Sequence, residues 1–261
     1  MVCSRSLPHT RAELTSSPEF IRNLIAQRLE ALNLSKIRLP LGAQAYQPHV
    51  PIFISSDLGR KQRVIILFYE HTQDLGVFAH RIIGGQGGIN AGSAINLVKY
   101  IQSLASYPNY KQTPGIILAN MGQLRWWRKG KKAVSQTSWF ALPQKSAVDQ
   151  PYRFDAKKNT VEGNRNTAEH VSYVFNEVVK EMVDPMAKLD VIGVSEGAVR
   201  VSEFLDQNWK AWKNRMEAFA TIASWFGAGE IKNTKFAEFM KDVSLPSPPY
   251  RFHTTNLEFC S

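Results

Sequence analysis

Apolar positions recur along this chain in two periods, and the switches between them mark out its elements. After Ser16, Ser17 and Pro18, the residues Phe20, Ile21, Leu24, Ile25, Leu29 and Leu32 fall mostly at helical spacing, predicting an amphipathic helix over 14–34. A linker containing Pro and Gly is expected from there through Pro51. Two apolar runs, Ile52 to Ser55 and Arg63 to Tyr69, flank a turn-like stretch and read as two antiparallel strands. A helix over 92–106 and a short strand over 115–119 follow. The cleanest helical pattern runs from Asn166 to Met182. Val171, Val174, Phe175, Val178, Val179 and Met182 share one face, Asn166 and Glu169 suit a capping-box start, and Pro185 stops it. Beyond it the pattern predicts a strand over 189–194, a helix over 197–212, a strand over 217–223, a helix over 232–242 and a last short strand over 250–255.

Strands that are nearly continuously apolar, alternating with amphipathic helices, imply a mostly parallel sheet covered on both faces. The predicted fold is a three-layer α/β sandwich. Residues 1–50 are read as a helix and linker packing on one domain over 51–261, and 121–165 as an insertion in that domain. The 14 Phe, 8 Tyr and 6 Trp exclude a chain disordered throughout. No apolar run reaches the ~20 residues of a membrane-spanning helix, and the N-terminus lacks the apolar core of a secretory signal. The expectation is therefore a protein of the nucleus or cytoplasm, without membrane association. Cys3 and Cys260 lie at opposite ends, too few and too far apart in sequence for a disulfide framework or a cysteine metal site. The run Gly84-Gly85-Gln86-Gly87-Gly88 lacks the strand-to-helix register of a dinucleotide fingerprint and reads as a flexible loop. No cofactor and no metal are expected.

Charge sharpens this picture. The chain has 32 Lys and Arg against 22 Asp and Glu, a net +10, and seven of those ten charges fall in residues 121–165. There Arg125, Arg128, Lys129, Lys131 and Lys132 interleave with Trp126 and Trp127. Cations among aromatic rings suit phosphate neutralisation with base stacking, or an acidic protein partner. The plainer alternative is a solvated loop whose Trp residues fold back onto the core.

The sharpest chemical motif is Gly193-Val194-Ser195-Glu196-Gly197, placed between a strand and a helix as a nucleophile elbow requires. The alternative is a tight turn in which Ser195 caps helix amides. A serine hydrolase also needs a base and an orienting acid, and after Ser195 the only histidine is His253, near the chain end. Where these enzymes usually carry a His-Gly pair, this chain reads Glu70-His71-Thr72-Gln73-Asp74, with two acids that would oppose a developing oxyanion. Glu70, His71, Asn120, Ser195 and Glu196 are expected to share a crevice at the carboxyl ends of the strands. The catalytic candidates are Ser195, His71 and Glu70, in a non-standard set. His170, in the first turn of its helix, is expected to pack or cap, its protonation disfavoured by the helix dipole.

Several stretches, taken in order, resemble the fungal domain named after Argonaute-binding protein 2. They are Gln73 to Phe78, Gly88 to Ser93, Asn120 to Gln123 with Trp126-Trp127, Gly163-Asn164 leading into Glu169 to Phe175, and Phe204 to Trp209 with Trp212. The resemblance spans roughly 15–250. It implies an α/β-hydrolase-like fold used as an interaction module. Related domains occur in an Argonaute-containing silencing complex, at the C-termini of fungal class II histone deacetylases and in animal cotranscriptional regulators, and several lack a full triad. The implied partners are proteins of such silencing complexes, with contact to RNA or a nucleosome. The implied role is non-catalytic, in heterochromatin or RNA-interference silencing, and the alternative is an esterase using Ser195. No deacetylase domain precedes this one, and the chain ends soon after its last helix, where relatives are expected to add a strand. A truncated gene model or a shortened paralogue is the expectation that follows.

Overall fold

The computed structural model describes residues 18–106, 112–144, 146, 148–150, 152–224 and 228–243. The sequence expectations for Cys3, Cys260, His253 and the strand over 250–255 lie outside them. A six-stranded sheet has the order β1-β2-β4-β3-β7-β8. Its strands are β1 (Leu34–Leu39), β2 (Val50–Ser55), β3 (Arg63–Phe68), β4 (Gly115–Leu118), β7 (Lys188–Val194) and β8 (Met216–Ile222). β4, β3, β7 and β8 run parallel, and β2 is antiparallel to both of its neighbours.

The pleat of β3 divides the core. Ile65 and Leu67 face one layer, with Phe53, Ile116 and Leu118 and with Ile25 and Leu29 of α1 (Pro18–Ala31) and Ile95 and Val98 of α4 (Ala94–Ser103). Val64, Ile66 and Phe68 face the other. There they meet Val171 of α6 (Thr167–Tyr173), Val174, Phe175 and Val178 of the π-helical stretch that continues it (Val174–Val179), and Val201, Phe204 and Leu205 of α8 (Glu196–Trp212). That stretch runs on into α7 (Lys180–Met182). Phe175 stacks on Phe68 and Phe204 at centroid distances of 5.7 and 4.7 Å, and Trp212 meets it edge-on. These are the three layers that the sequence predicts, with α9 (Thr234–Val243) covering the end of α8 through Phe236 and Phe239 against Trp209.

Three expectations change. The runs at 52–55 and 63–69 are antiparallel strands, as read, but they are not paired with each other: β4 lies between β2 and β3, and a 3-10 turn, Leu58–Arg60, carries the chain across. Adjacent apolar runs suggest pairing, but the longer-range parallel pairing of β3 with β4 buries both faces and wins. The linker expected before Pro51 contains β1, in register with β2 from Leu34↔Ser55 to Leu39↔Val50, so a boundary at residue 50 would cut the sheet. Lys36 and Arg38 mask it as a strand, because on an edge their alternation faces water. The glycine run is also not a free loop. It joins two short helices, α2 (His80–Ile83) and α3 (Gly88–Ala91), with Gly87 close against Ile82.

Candidate functional site

The chain leaves β7 at Val194 and enters α8 at Glu196, and Ser195 makes the turn with φ 53° and ψ −121°. A β-carbon rarely tolerates that backbone, which is the strained geometry of a nucleophile elbow. The flanking glycines permit it. A Cβ on Gly193 would lie 2.5 Å from Ala198 Cα, and one on Gly197 would lie 2.2 Å from the Phe68 carbonyl oxygen. The elbow is therefore pressed against the end of β3, immediately before Glu70 and His71. Ser195 does not cap α8, which removes the plainer reading of the motif.

The candidate set is only half assembled: the acid and base meet each other, but not the serine. His71 turns Nδ1 to Glu70 Oε1 at 2.7 Å, and the His71 amide donates to the same oxygen. Glu196 swings to Arg200 and accepts from Thr167 Oγ1 at 3.2 Å. No histidine among the described residues is hydrogen-bonded to Ser195. Glu70 and Asn120 do line one small cavity at the carboxyl ends of β3 and β4. His71, Ser195 and Glu196 are not in its lining, so the structure brings together there only two of the five residues expected to share a crevice.

His170 plays a part that its sequence position did not reveal. It is fully buried; Nδ1 donates to Asn164 Oδ1 at 2.7 Å and Nε2 accepts from the Asn120 amide at 3.0 Å. Those roles fix the neutral tautomer, and burial pushes its pKa down to about 3. The cause is desolvation rather than the helix dipole. Asn120 continues the network to the Pro51 carbonyl and to Gln123, whose Oε1 accepts from the Leu75 amide. One buried strut thus ties α6 to the loops after β3 and β4. A signal was available: Asn120, Gln123, Asn164 and His170 are all polar residues set in otherwise apolar or glycine-bearing stretches.

Residues 121–165 fold as a subdomain with its own small core. β5 (Arg125–Trp127) and β6 (Lys132–Val134) form an antiparallel hairpin, followed by α5 (Gln136–Phe140). Trp126 is not an exposed binding residue: it packs with Val50, Leu124, Ala133 and Val161, and lies beside His49. Asn159 laces β5 from behind, accepting and donating around the Trp126 backbone. Trp127 is half-buried against Val134, Trp139 and Tyr152. What reaches solvent is the tip, Arg128-Lys129-Gly130-Lys131. Among the described residues no acidic group pairs with Arg128, Lys129 or Lys131. Arg125 lies over the rings of Phe154 and Phe140, at 4.6 and 5.8 Å, and Phe140 is 62% exposed. Lys132 instead bonds Glu19 at 2.9 Å, while Arg22 on the same helix bonds Asp74. α1 therefore braces the basic hairpin and the crevice loop side by side.

A mostly parallel sheet in this strand order, with a serine elbow after β7, defines an α/β-hydrolase-like scaffold. Within that class, the profile of the Arb2 domain matches residues 10–244, and the chain belongs to the Arb2 domain family. Curated protein sequences give no match. Among solved structures, an esterase from Rhizomucor miehei, described in a study of two fungal esterases and their substrate specificity, is 14% identical with a TM-score of 0.37. The match covers 88% of this chain and 58% of that one, so the chain corresponds to little more than half the esterase's length. No described helix is long and apolar enough to cross a membrane, and the described residues contain no group of three or more His, Cys, Asp or Glu placed to hold a metal.

Proposed function

We propose that this chain is a non-catalytic interaction module built on a hydrolase scaffold, which engages a polyanionic partner through the tip of the β5–β6 hairpin. The observation that carries the reading is the set of three tip cations that pair with no acid among the described residues, on a hairpin anchored by a small core against the start of β2. The want of any hydrogen bond between Ser195 and a histidine among the described residues, and the engagement of both His170 ring nitrogens with buried partners, support the non-catalytic half. Its family resemblance suggests the setting: a silencing complex containing an Argonaute or a histone deacetylase, in the nucleus or cytoplasm, with RNA or nucleosomal surface as the polyanion.

The test is fluorescence anisotropy with a labelled single-stranded RNA and, separately, a polyglutamate peptide. Replacing Arg128, Lys129 and Lys131 by Ser should weaken binding at least about tenfold and reduce the log–log salt slope for RNA by about 2. Thermal stability should be unchanged. Equal affinity and salt dependence in the variant would remove the reading. Preference for the peptide over RNA would identify an acidic protein partner.

A second reading, an esterase using Ser195, is favoured by one specific observation: the strained elbow backbone at φ 53°. A fluorophosphonate probe separates the two. Labelling of the wild type that is lost in Ser195→Ala supports the esterase; no labelling, or labelling indifferent to that substitution, supports the interaction module.

A further inference from the structure

The loop that would supply an oxyanion hole has been turned into a collection of acceptors. A cavity of about 10 Å³, room for one water-sized group, lies between this loop and the ends of β3 and β4. Glu70, Gln73 and Asp74 line it, together with Tyr69, Phe78 and Leu75. Asp74 is held by Arg22 through Oδ2 alone; its side chain is 5% exposed and its Oδ1 is buried without a hydrogen-bond partner among the described residues. Gln73 Oε1 is buried and unpartnered in the same way. The Asn120 amide, also at the wall, is fully used by Pro51 and Gln123. Buried acceptors left unpaired are expensive, so they identify the missing chemistry as a donor.

We propose that this cavity binds a primary ammonium group. An ammonium offers three N–H donors and no lone pair, matching the Glu70 carboxylate, Gln73 Oε1 and Asp74 Oδ1. A water molecule has donors for the two orphaned acceptors, Gln73 Oε1 and Asp74 Oδ1, but brings no positive charge to the Glu70 carboxylate beside them. The charge suits the site, because Arg22 balances the Asp74 carboxylate, while Glu70 accepts through one oxygen from His71 and has no Lys or Arg partner among the described residues. Tyr69 and Phe78, whose ring centroids are 4.5 Å apart, also line the cavity, and aromatic rings attract a cation. A quaternary ammonium has no N–H to give, and a guanidinium is too large for the space.

Isothermal titration calorimetry of the full chain with n-butylammonium chloride tests the proposal, against tetramethylammonium chloride and KCl at matched ionic strength. Butylammonium should bind saturably in the millimolar range, and the two controls should not. Gln73→Met and Glu70→Gln should each weaken it about tenfold. In the wild type, the amine methylenes should show nuclear Overhauser contacts to the Tyr69 and Phe78 rings, a readout that needs no variant to fold. Nα-acetyl-lysine methylamide binding as well as butylammonium would identify the source as a lysine side chain; butylammonium binding alone would identify a small free amine. Unsaturable heats, an equal response to KCl, or absent ring contacts would overturn the assignment and leave a solvent site. The outcome is independent of the hairpin, so it stands or falls separately from the RNA measurement.

Discussion

Burial at His170 makes a pH sensor of the whole fold's stability. Its folded pKa is about 3 against an ordinary 6.5, so between those values the unfolded chain binds the extra proton. The stability that keeping His170 neutral contributes should therefore be complete above pH 6.5, decline as pH falls toward 3, and change no further below that. Urea denaturation of the wild type across this range should show the slope, and His170→Phe should remove this residue's share of it. At neutral pH that variant should be about 2–4 kcal/mol less stable, because the Asn120 amide and the Asn164 side chain lose their partner in a dry site. Ser195 makes a contrasting case. Its backbone strain is worth about 1–3 kcal/mol, part of which glycine would give back in chain entropy. Ser195→Gly should stabilise the protein by about 1 kcal/mol, while Gly197→Ala should lose roughly 3 kcal/mol or more, because its Cβ would collide with the backbone of β3. Chemical denaturation reads both. The elbow was legible in the sequence because its glycines and serine are contiguous; the His170 strut was not, because its partners come from segments 50 and 6 residues away.

Among the elements, the β5–β6 hairpin is the one whose sequence reading was half right. Its charges are at the surface as composition suggests, but the strand pleat sends Trp126 inward, Arg125 lies half-exposed over aromatic rings, and the accessible aromatic is Phe140 of the following helix. Alternation along so short a strand is invisible until its register is known, since a shift of one residue would exchange Trp126 and Trp127. The tip depends on Gly130, where a Cβ would lie 2.0 Å from the Trp127 ring. Gly130→Ala should displace that indole and splay the hairpin. The expected signature is a changed tryptophan emission and weakened RNA binding, with the global unfolding midpoint nearly preserved, because the hairpin's small core meets the main sheet only at Val50, the first residue of β2. A large drop in the midpoint would mean that the two cores unfold as one.

At the scale of the molecule, the open edge at β1 shows how charge protects the sheet. Lys36 and Arg38 lie exposed on that edge strand, where like charges discourage a second copy from pairing. Replacing both with Ile should promote concentration-dependent self-association, measurable by light scattering, without loss of the monomer fold at low concentration. The +10 charge of the chain likewise resolves into local arrangements: Lys132 is tied down by Glu19, Arg125 is shielded over aromatic rings, and the tip cations remain unpaired by described acids. Periodicity and turn chemistry determined the parallel core, the helices flanking it and the serine elbow, because these depend on residues close together in the chain. Strand order, the antiparallel β1–β2 edge, the inward Trp126 and the burial that neutralises His170 were decided only by the tertiary structure. Each depends on which distant segment arrives beside it, and desolvation and register are properties of that neighbour rather than of the local sequence.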